Sequence, residues 1–471
     1  MLFNLQIHQF TKLNQIIFQD FCWKVSEQES WAIIGNIGTG KTILLKILSG
    51  LEYLPLQDGQ LFFKENITQE DIAFVSFLDE KKWIKRADFY YQQRYYTSFT
   101  DEEMKLYEFF ELEKINDRQK ENIQSLLKKY HLENLLNVPF IQLSNGQKNK
   151  SILIKSLQLN CKILLLDNPF IGIDAASRKE IFKLIDELIG SGKHVVYTSN
   201  YPVFATSTTH ILQLYKNKKP AVFLKKDYPE NETSTIQKQN ISENSSCKKI
   251  IELQHVNIKY HEKIILDNIS WTVFEGEKWA ILGENGSGKS TLLSLLYADH
   301  PQSYKNHILL FDEPRRTQSI WEIKARTGYL SSEFHLHFLE PLNVAETIAT
   351  GFTDTLSLQR KPTSEQADAI EKIIKALDIE HLKNRQFLSL SFGEQRLVLF
   401  ARAVIKNPDL LILDEAYQGF DKETIALCNH YIDTVLPKKT TLIFTSHYAE
   451  ELPECVHKYL HLANGKIVTN E

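Results

Sequence analysis

Two stretches, GNIGTGKT at 35–42 and GENGSGKS at 283–290, set glycines, a lysine and a hydroxyl at one fixed spacing. Gly35, Gly38 and Gly40 in the first, and Gly283, Gly286 and Gly288 in the second, let backbone N–H groups curl around an anion. The helix expected after each loop turns its positive end toward the same anion. At this spacing Lys41 and Lys289 reach the β- and γ-phosphates of a nucleotide, and Thr42 and Ser290 are placed to ligand Mg²⁺, with Thr291 beside them. Two further stretches, KILLLDNPF at 162–170 and LLILDEAYQ at 410–418, are apolar runs that end in Asp167 and Asp414. Such a run reads as a buried parallel strand that delivers a carboxylate to the sheet edge. The next residue is the amide Asn168 in one copy and the acid Glu415 in the other.

The elements that position these groups are written twice. The glycine loops are offset by 283 − 35 = 248, as are Trp23 and Trp271. LSNGQK at 143–148 and LSFGEQ at 390–395 are offset by 247, as are Asp167 and Asp414, Asp174 and Asp421, and Asn200 and His447. Landmarks held in register over such a distance mark a tandem duplication. The halves are expected at 1–224 and 250–471, joined by a flexible linker over 225–249, where Asn, Ser, Thr, Gln and charge leave little to bury. Apolar strands such as LLILD and TLIFTS alternate with helix-period segments such as TLLSLLY and AIEKIIKAL, which predicts an α/β core in each half.

Bulk composition narrows the classes. The 471 residues are 43% hydrophobic and 24% charged, with a formal charge of −4, so no global basic field recruits nucleic acid. Five scattered cysteines without a C-x-x-C spacing argue against a zinc site or a disulfide framework and fit a reducing cytosol. No apolar run reaches the roughly 18 residues of a membrane span. The N-terminal MLFNLQIHQFTK lacks the features of a signal peptide, so a cytoplasmic location is expected, with room for peripheral attachment at the inner membrane.

The Leu-Ser-x-Gly signature, whose serine lies 167 − 144 = 23 residues before one buried acid and 414 − 391 = 23 before the other, resembles that of the ATP-binding cassette (ABC) superfamily. The likeness covers both halves. It implies an α/β fold of two tandem ABC ATPase domains, each a RecA-like phosphate-loop core with an antiparallel β subdomain and a helical signature subdomain. It also implies ATP and Mg²⁺ as ligands and head-to-tail pairing of the halves. Ser144 and Gly146 would then close on the ATP held by Lys289, and Ser391 and Gly393 on the ATP held by Lys41. The resemblance assigns Asp167 and Asp414 to the metal along with Thr42 and Ser290. It makes Tyr260 the adenine-stacking aromatic, Glu415 the general base, Asp174 and Asp421 loop acids, and His447 the γ-phosphate switch. In the first half Lys12 stands in for the aromatic, Asn168 for the base and Asn200 for the switch histidine.

Both halves lack the glutamine that the family places after the IAFVS-type strand; Phe77 and Ser332 occupy those positions. DFYYQQRYYTSFT (88–100) and SIWEIKARTGYLSSEFH (319–335) resemble the duplicated ModF-like cassettes of molybdenum-transport or photorepair type. That group's name implies a molybdate transporter motor, although no residue pattern here addresses an oxyanion substrate. The tyrosines and Arg94 of the first stretch suit either a docking patch or a packed subdomain face. The function expected is an ATPase driving a membrane permease or another separately encoded protein. The competing reading is a cassette protein acting on the ribosome. The even spacing from loop to signature (143 − 35 = 108 and 390 − 283 = 107) leaves no room for the inserted arm of that branch.

Overall fold

The structure is a computed structural model that describes residues 1–12, 15–77, 104–112, 115–140, 143–173, 175–200, 202–216, 218–229, 248–260, 263–446 and 448–470. Asp174, His447, the aromatic stretch 88–100 and residues 230–247 of the expected linker lie outside them.

FNLQIHQFTK alternates buried and wetter positions, as a strand with one solvated face must. It forms β1 (Phe3–Lys12), which pairs antiparallel with β2 (Gln15–Val25). The apolar β3 (Trp31–Gly35) leads through the first glycine loop into α1 (Lys41–Leu48). The chain returns through β4 (Gly59–Phe63), an antiparallel neighbour of β1, to β5 (Ile72–Ser76). Helices α2 (Leu106–Phe110), α3 (Asp117–Lys129) and α4 (Asn145–Ser156) follow. The core is completed by β6 (Ile163–Asp167), α5 (Ala175–Gly190), β7 (His194–Ser199), β8 (His210–Tyr215) and β9 (Lys218–Leu224). Its six-stranded sheet runs β5-β6-β7-β3-β8-β9, parallel except for the edge strand β9.

The second half repeats this order. Antiparallel β10 (Lys249–Tyr260) and β11 (Lys263–Phe274) precede β12 (Lys278–Leu282), the second loop and α6 (Lys289–Leu296). Next come β13 (His307–Leu310), β14 (Glu313–Pro314), α7 (Ile320–Arg326) and β15 (Thr327–Leu330). The helical part holds α8 (Ser332–His337), α9 (Val344–Ala349), α10 (Ser364–Ala376) and α11 (Phe392–Val404). Then β16 (Leu410–Asp414), α12 (Lys422–His430), β17 (Thr441–Thr445), β18 (Lys458–Ala463) and β19 (Lys466–Asn470) close the sheet β15-β16-β17-β12-β18-β19. The described residues fall into two compact units, parted near residue 233. The ordered chain of the first continues past β9, where Tyr228 packs edge-on against Phe204 and Phe223.

Each central sheet is buried on both faces, which explains why ILLLD and LLILD show no polar alternation. Leu164 and Leu166 enter one hydrophobic cluster with the helices; Ile163 and Leu165 enter the other with β1, β2 and α1. Burying each such side chain stabilises the fold by about 1.5–3 kcal/mol. The duplication persists in packing: Trp23 meets Trp31 edge-on at 5.3 Å, and Trp271 meets Trp279 edge-on at 5.4 Å.

The helical part of the second unit has a buried charge cluster. Asp354 accepts from Arg402 Nη2 at 2.9 Å and from the Tyr297 hydroxyl at 2.7 Å, and Lys406 lies 3.6 Å away. Burial pushes the Asp354 carboxyl up, but Arg402 and Lys406 outweigh it and hold the group below the usual carboxylate range. Removing the acid would strand two buried cations, a loss of about 3–5 kcal/mol. Asp354→Ala is therefore expected to lower the urea midpoint of the second unit sharply, and tryptophan fluorescence during denaturation measures it.

Candidate functional site

In each unit the glycine loop leaves the C-terminal end of a central strand and enters a helix. Gly40 and Gly288 take left-handed φ values of 92° and 103° at the helix N-caps, where a side chain would strike β2 or β11. Lys41 Nζ donates to the carbonyls of Gly35 and Asn36, and Lys289 Nζ to those of Gly283 and Glu284 at 2.7 and 3.0 Å. Both ammonium groups are thus curled over a concave row of backbone. At Gly286 an added Cβ would meet nothing within 4 Å, as a loop open to a ligand requires.

The strand order brings the buried acids to these loops. β7 lies between β3 and β6, and β17 between β12 and β16, so each loop and acid flank one shared strand end. Thr42 Oγ1 donates to Asp167 Oδ1 at 3.0 Å, and the Ser290 hydroxyl likewise bonds Asp414. A threonine on the middle strand completes both arrangements. Thr198 Oγ1 donates to Asp167 Oδ1 at 3.1 Å and accepts the Asn168 N–H at 2.7 Å. Thr445 Oγ1 donates to Asp414 Oδ1 at 2.7 Å and accepts the Glu415 N–H at 2.9 Å. Nothing about these two strand threonines sets them apart in the sequence.

The residue after each acid turns a left-handed corner, with φ 59° at Asn168 and 48° at Glu415. Asn tolerates this region, whereas for other L-residues it costs about 1–2 kcal/mol. The first unit carries the residue that suits the backbone; the second carries a carboxylate that does not. Asn168 Nδ2 also donates to Asp167 Oδ1 at 3.1 Å, an internal bond a carboxylate could not make.

Burial pushes the Asp167 carboxyl up, and Asp414 rises through burial and the adjoining Glu415 charge. Asp167 Oδ2 is buried without a hydrogen-bond partner among the described residues. Such a carboxylate fits a cation. Among the described residues no cluster of three or more His, Cys, Asp or Glu forms a cage. One carboxylate plus one hydroxyl suits Mg²⁺, which keeps waters and shares phosphate oxygens. Thr42 with Asp167, and Ser290 with Asp414, would hold it.

The two units differ at the position that the resemblance gives to an adenine-stacking aromatic. Tyr260 ends β10, and its hydroxyl lies 2.7 Å from buried His300 Nε2. His300 Nδ1 accepts from Gln302 N at 3.1 Å, so a neutral imidazole carries its proton on Nε2 and donates it to the phenol oxygen. At the matching positions of the first unit, Lys12 bonds Glu52 at 2.5 Å. An aromatic braced by an imidazole has become a part-exposed ion pair.

Ser144 and Ser391 are the N-caps of α4 and α11, each in a capping box with Gln147 or Glu394. Gly146 and Gly393 lie in the first turns of these helices, both buried. Asp421 caps α12, accepting from Thr424 N at 2.8 Å. Asn200 directly follows β7. Phe77 is 4% exposed and belongs to the core on the helical face. Ser332 begins α8 and donates to Gln418 Oε1 at 2.7 Å. An amide thus reaches that corner of the second unit from the loop after β16.

Stacking on an aromatic is worth about 1–3 kcal/mol per base, while an exposed ion pair contributes about 0–1 kcal/mol. With Lys41→Ala silencing the first loop, Tyr260→Ala is expected to weaken ATP binding about tenfold or more. With Lys289→Ala silencing the second, Lys12→Ala is expected to change it less than about fivefold. Equilibrium titration with ATP separates the two cases.

The family model described as ABC transporter matches residues 18–171 and 266–418, one span in each unit. An uncharacterised ABC transporter ATP-binding protein of Schizosaccharomyces pombe is 31% identical over 471 residues, covering 96% of both chains. The ABC transporter ATP-binding protein ModF of Escherichia coli is 31% identical over 462 residues, covering 93% of this chain and 92% of its own. Among solved structures, an archaeal ribosome recycling factor bound to the ribosomal stalk protein matches 97% of this chain and 87% of its own, with a TM-score of 0.57 and 17% identity, a likeness of fold alone. Two phosphate loops, two buried acids and two signature helices in one duplicated chain, matched by relatives over nearly its whole length, place it in the ABC family as a tandem ATP-binding cassette ATPase.

Proposed function

We propose that this ATPase powers a transporter-type system with two unequal composite sites, one that hydrolyses ATP and one that holds it. The observation carrying this reading is that Glu415 and Asn168 occupy matching left-handed corners beside equally built aspartates. Glu415 would take the proton of the attacking water; the neutral Asn168 cannot. Losing a general base costs roughly 10²- to 10⁴-fold in rate, about 3–5 kcal/mol of barrier. In this reading Ser144 and Gly146 close on the nucleotide at Lys289, and Ser391 and Gly393 on the one at Lys41. His447 and Asn200 would then face the γ-phosphates of the active and holding sites respectively. Mg²⁺, when bound, supplies positive charge to the phosphate oxygens beside the lysines.

A transporter-type role is supported by relatives whose names describe ABC transporter ATP-binding proteins. No helix among the described residues is long and apolar enough to cross a membrane, so in this reading the spanning part belongs to a separately encoded permease. A molybdate-type cargo rests on the likeness to ModF.

Glu415→Gln is expected to lower steady-state hydrolysis by roughly 10²- to 10⁴-fold while leaving ATP binding, and Asn168→Ala to change turnover less than about threefold. Gly146→Asp puts a carboxylate where the proposed γ-phosphate meets the signature and is expected to stop turnover as fully as Lys289→Ala, with Ser177 turning aside to admit it. Equal losses at positions 415 and 168 would overturn the assignment. A separate measurement tests the role: the protein is expected to sediment with membranes, and ATP-dependent migration with ribosomes would instead favour a translational role.

A further inference from the structure

Arg396 lies in α11, the signature helix of the second unit, and is 0% exposed. A buried guanidinium ordinarily pairs with a carboxylate, because stripping water from a lone cation is costly. Here its hydrogen bonds go to neutral groups. Nη2 donates to the Glu415 carbonyl at 2.5 Å, Nε to the Ala416 carbonyl at 3.2 Å, and Nη1 to the Ser332 hydroxyl at 3.4 Å. Burial lowers the group to about 10, with the Glu415 and Asp414 charges opposing that fall, so it stays cationic at neutral pH.

The counterpart in the first unit, 396 − 247 = 149, is Asn149. Asn149 Nδ2 donates to the carbonyls of Pro169 and Ile171 at 3.1 and 3.2 Å, past the Asn168 corner rather than on it. The unit with an acid at its left-handed corner therefore has a buried cation clamping that corner. The unit with an amide there has an amide on the helix.

We propose that Arg396 is a positioning residue for Glu415: it clamps the carbonyl of the strained corner and holds the carboxylate in its working place. This rests on the reading of Glu415 as the general base. Its bonds to the main chain fix the corner's φ and ψ, and its charge compensates the paired acids. The clamp also ties the corner to the helix that starts at Ser391 and Gly393, so movement of that helix is transmitted to Glu415.

The test is a double-mutant cycle on the full chain, reading kcat and ATP affinity. Arg396→Gln is expected to lower kcat about 100-fold when Glu415 is present, as misplacing a reacting group by about an ångström does. ATP affinity should change less than about threefold, and the residual rate of Glu415→Gln should fall no further than that. Arg396→Lys keeps a cationic donor for the Glu415 carbonyl and is expected to recover at least about a tenth of the rate. Equal losses in both backgrounds, or a loss expressed in ATP affinity, would mark a structural role and overturn the inference. So would full activity of Arg396→Gln while Glu415→Gln is dead. If Glu415→Gln itself turns over normally, the base assignment falls and takes this inference with it.

Discussion

The architecture of both units hangs on one buried carboxylate. Asp167 and Asp414 sit at the ends of strands covered on both faces, where an ionised group is expensive unless it is bonded. The phosphate-loop hydroxyl and the threonine of the neighbouring strand supply those bonds. Each constraint then fixes another. The threonine also receives the N–H of the next residue, which sets the left-handed corner and aims Asn168 or Glu415. Loop, acid and corner are thereby locked into one geometry, with a carboxylate that still favours a cation.

Against that shared frame, the differences between units all run one way. The first unit has Asn168 at the corner, Asn149 on the signature helix and Lys12 with Glu52 where the second has Tyr260 with His300. The second unit bears the strain of Glu in a left-handed corner and of Arg396 in a dry interior. Neither feature is what backbone preference or burial alone would select at these positions. The loop lysine, loop hydroxyl and aspartate of the first unit keep the bonds that their counterparts make in the second, which supports the proposed holding of nucleotide over simple decay.

The fold class was legible from residues alone, and so were the motifs from which the candidate site is built. The duplication, the loops and the buried acid strands each depend on contiguous residues whose types state their purpose: glycines for a curled backbone, an unbroken apolar run for a strand covered twice. The signature serines were legible for a similar reason, since a capping box is local. The substitution of Asn168 for an acid could be read directly, but not the backbone strain that gives it meaning, because a side chain does not announce its own φ.

What tertiary structure alone decided is the set of partners that meet across the sheet. Thr445 reaches Asp414 from 31 residues away, His300 reaches Tyr260 from 40, and Gln418 reaches Ser332 from 86. Threonine in a strand, histidine after a helix and glutamine in a loop are ordinary residues in ordinary places. In the sequence Arg396 is one more charge on a helix; burial and its bond to the Glu415 carbonyl give it a position. Local spacing specifies the glycine loops, their lysines and the buried acids. The parallel sheet, by placing one strand between loop and acid, decides which distant side chains hold those groups in place.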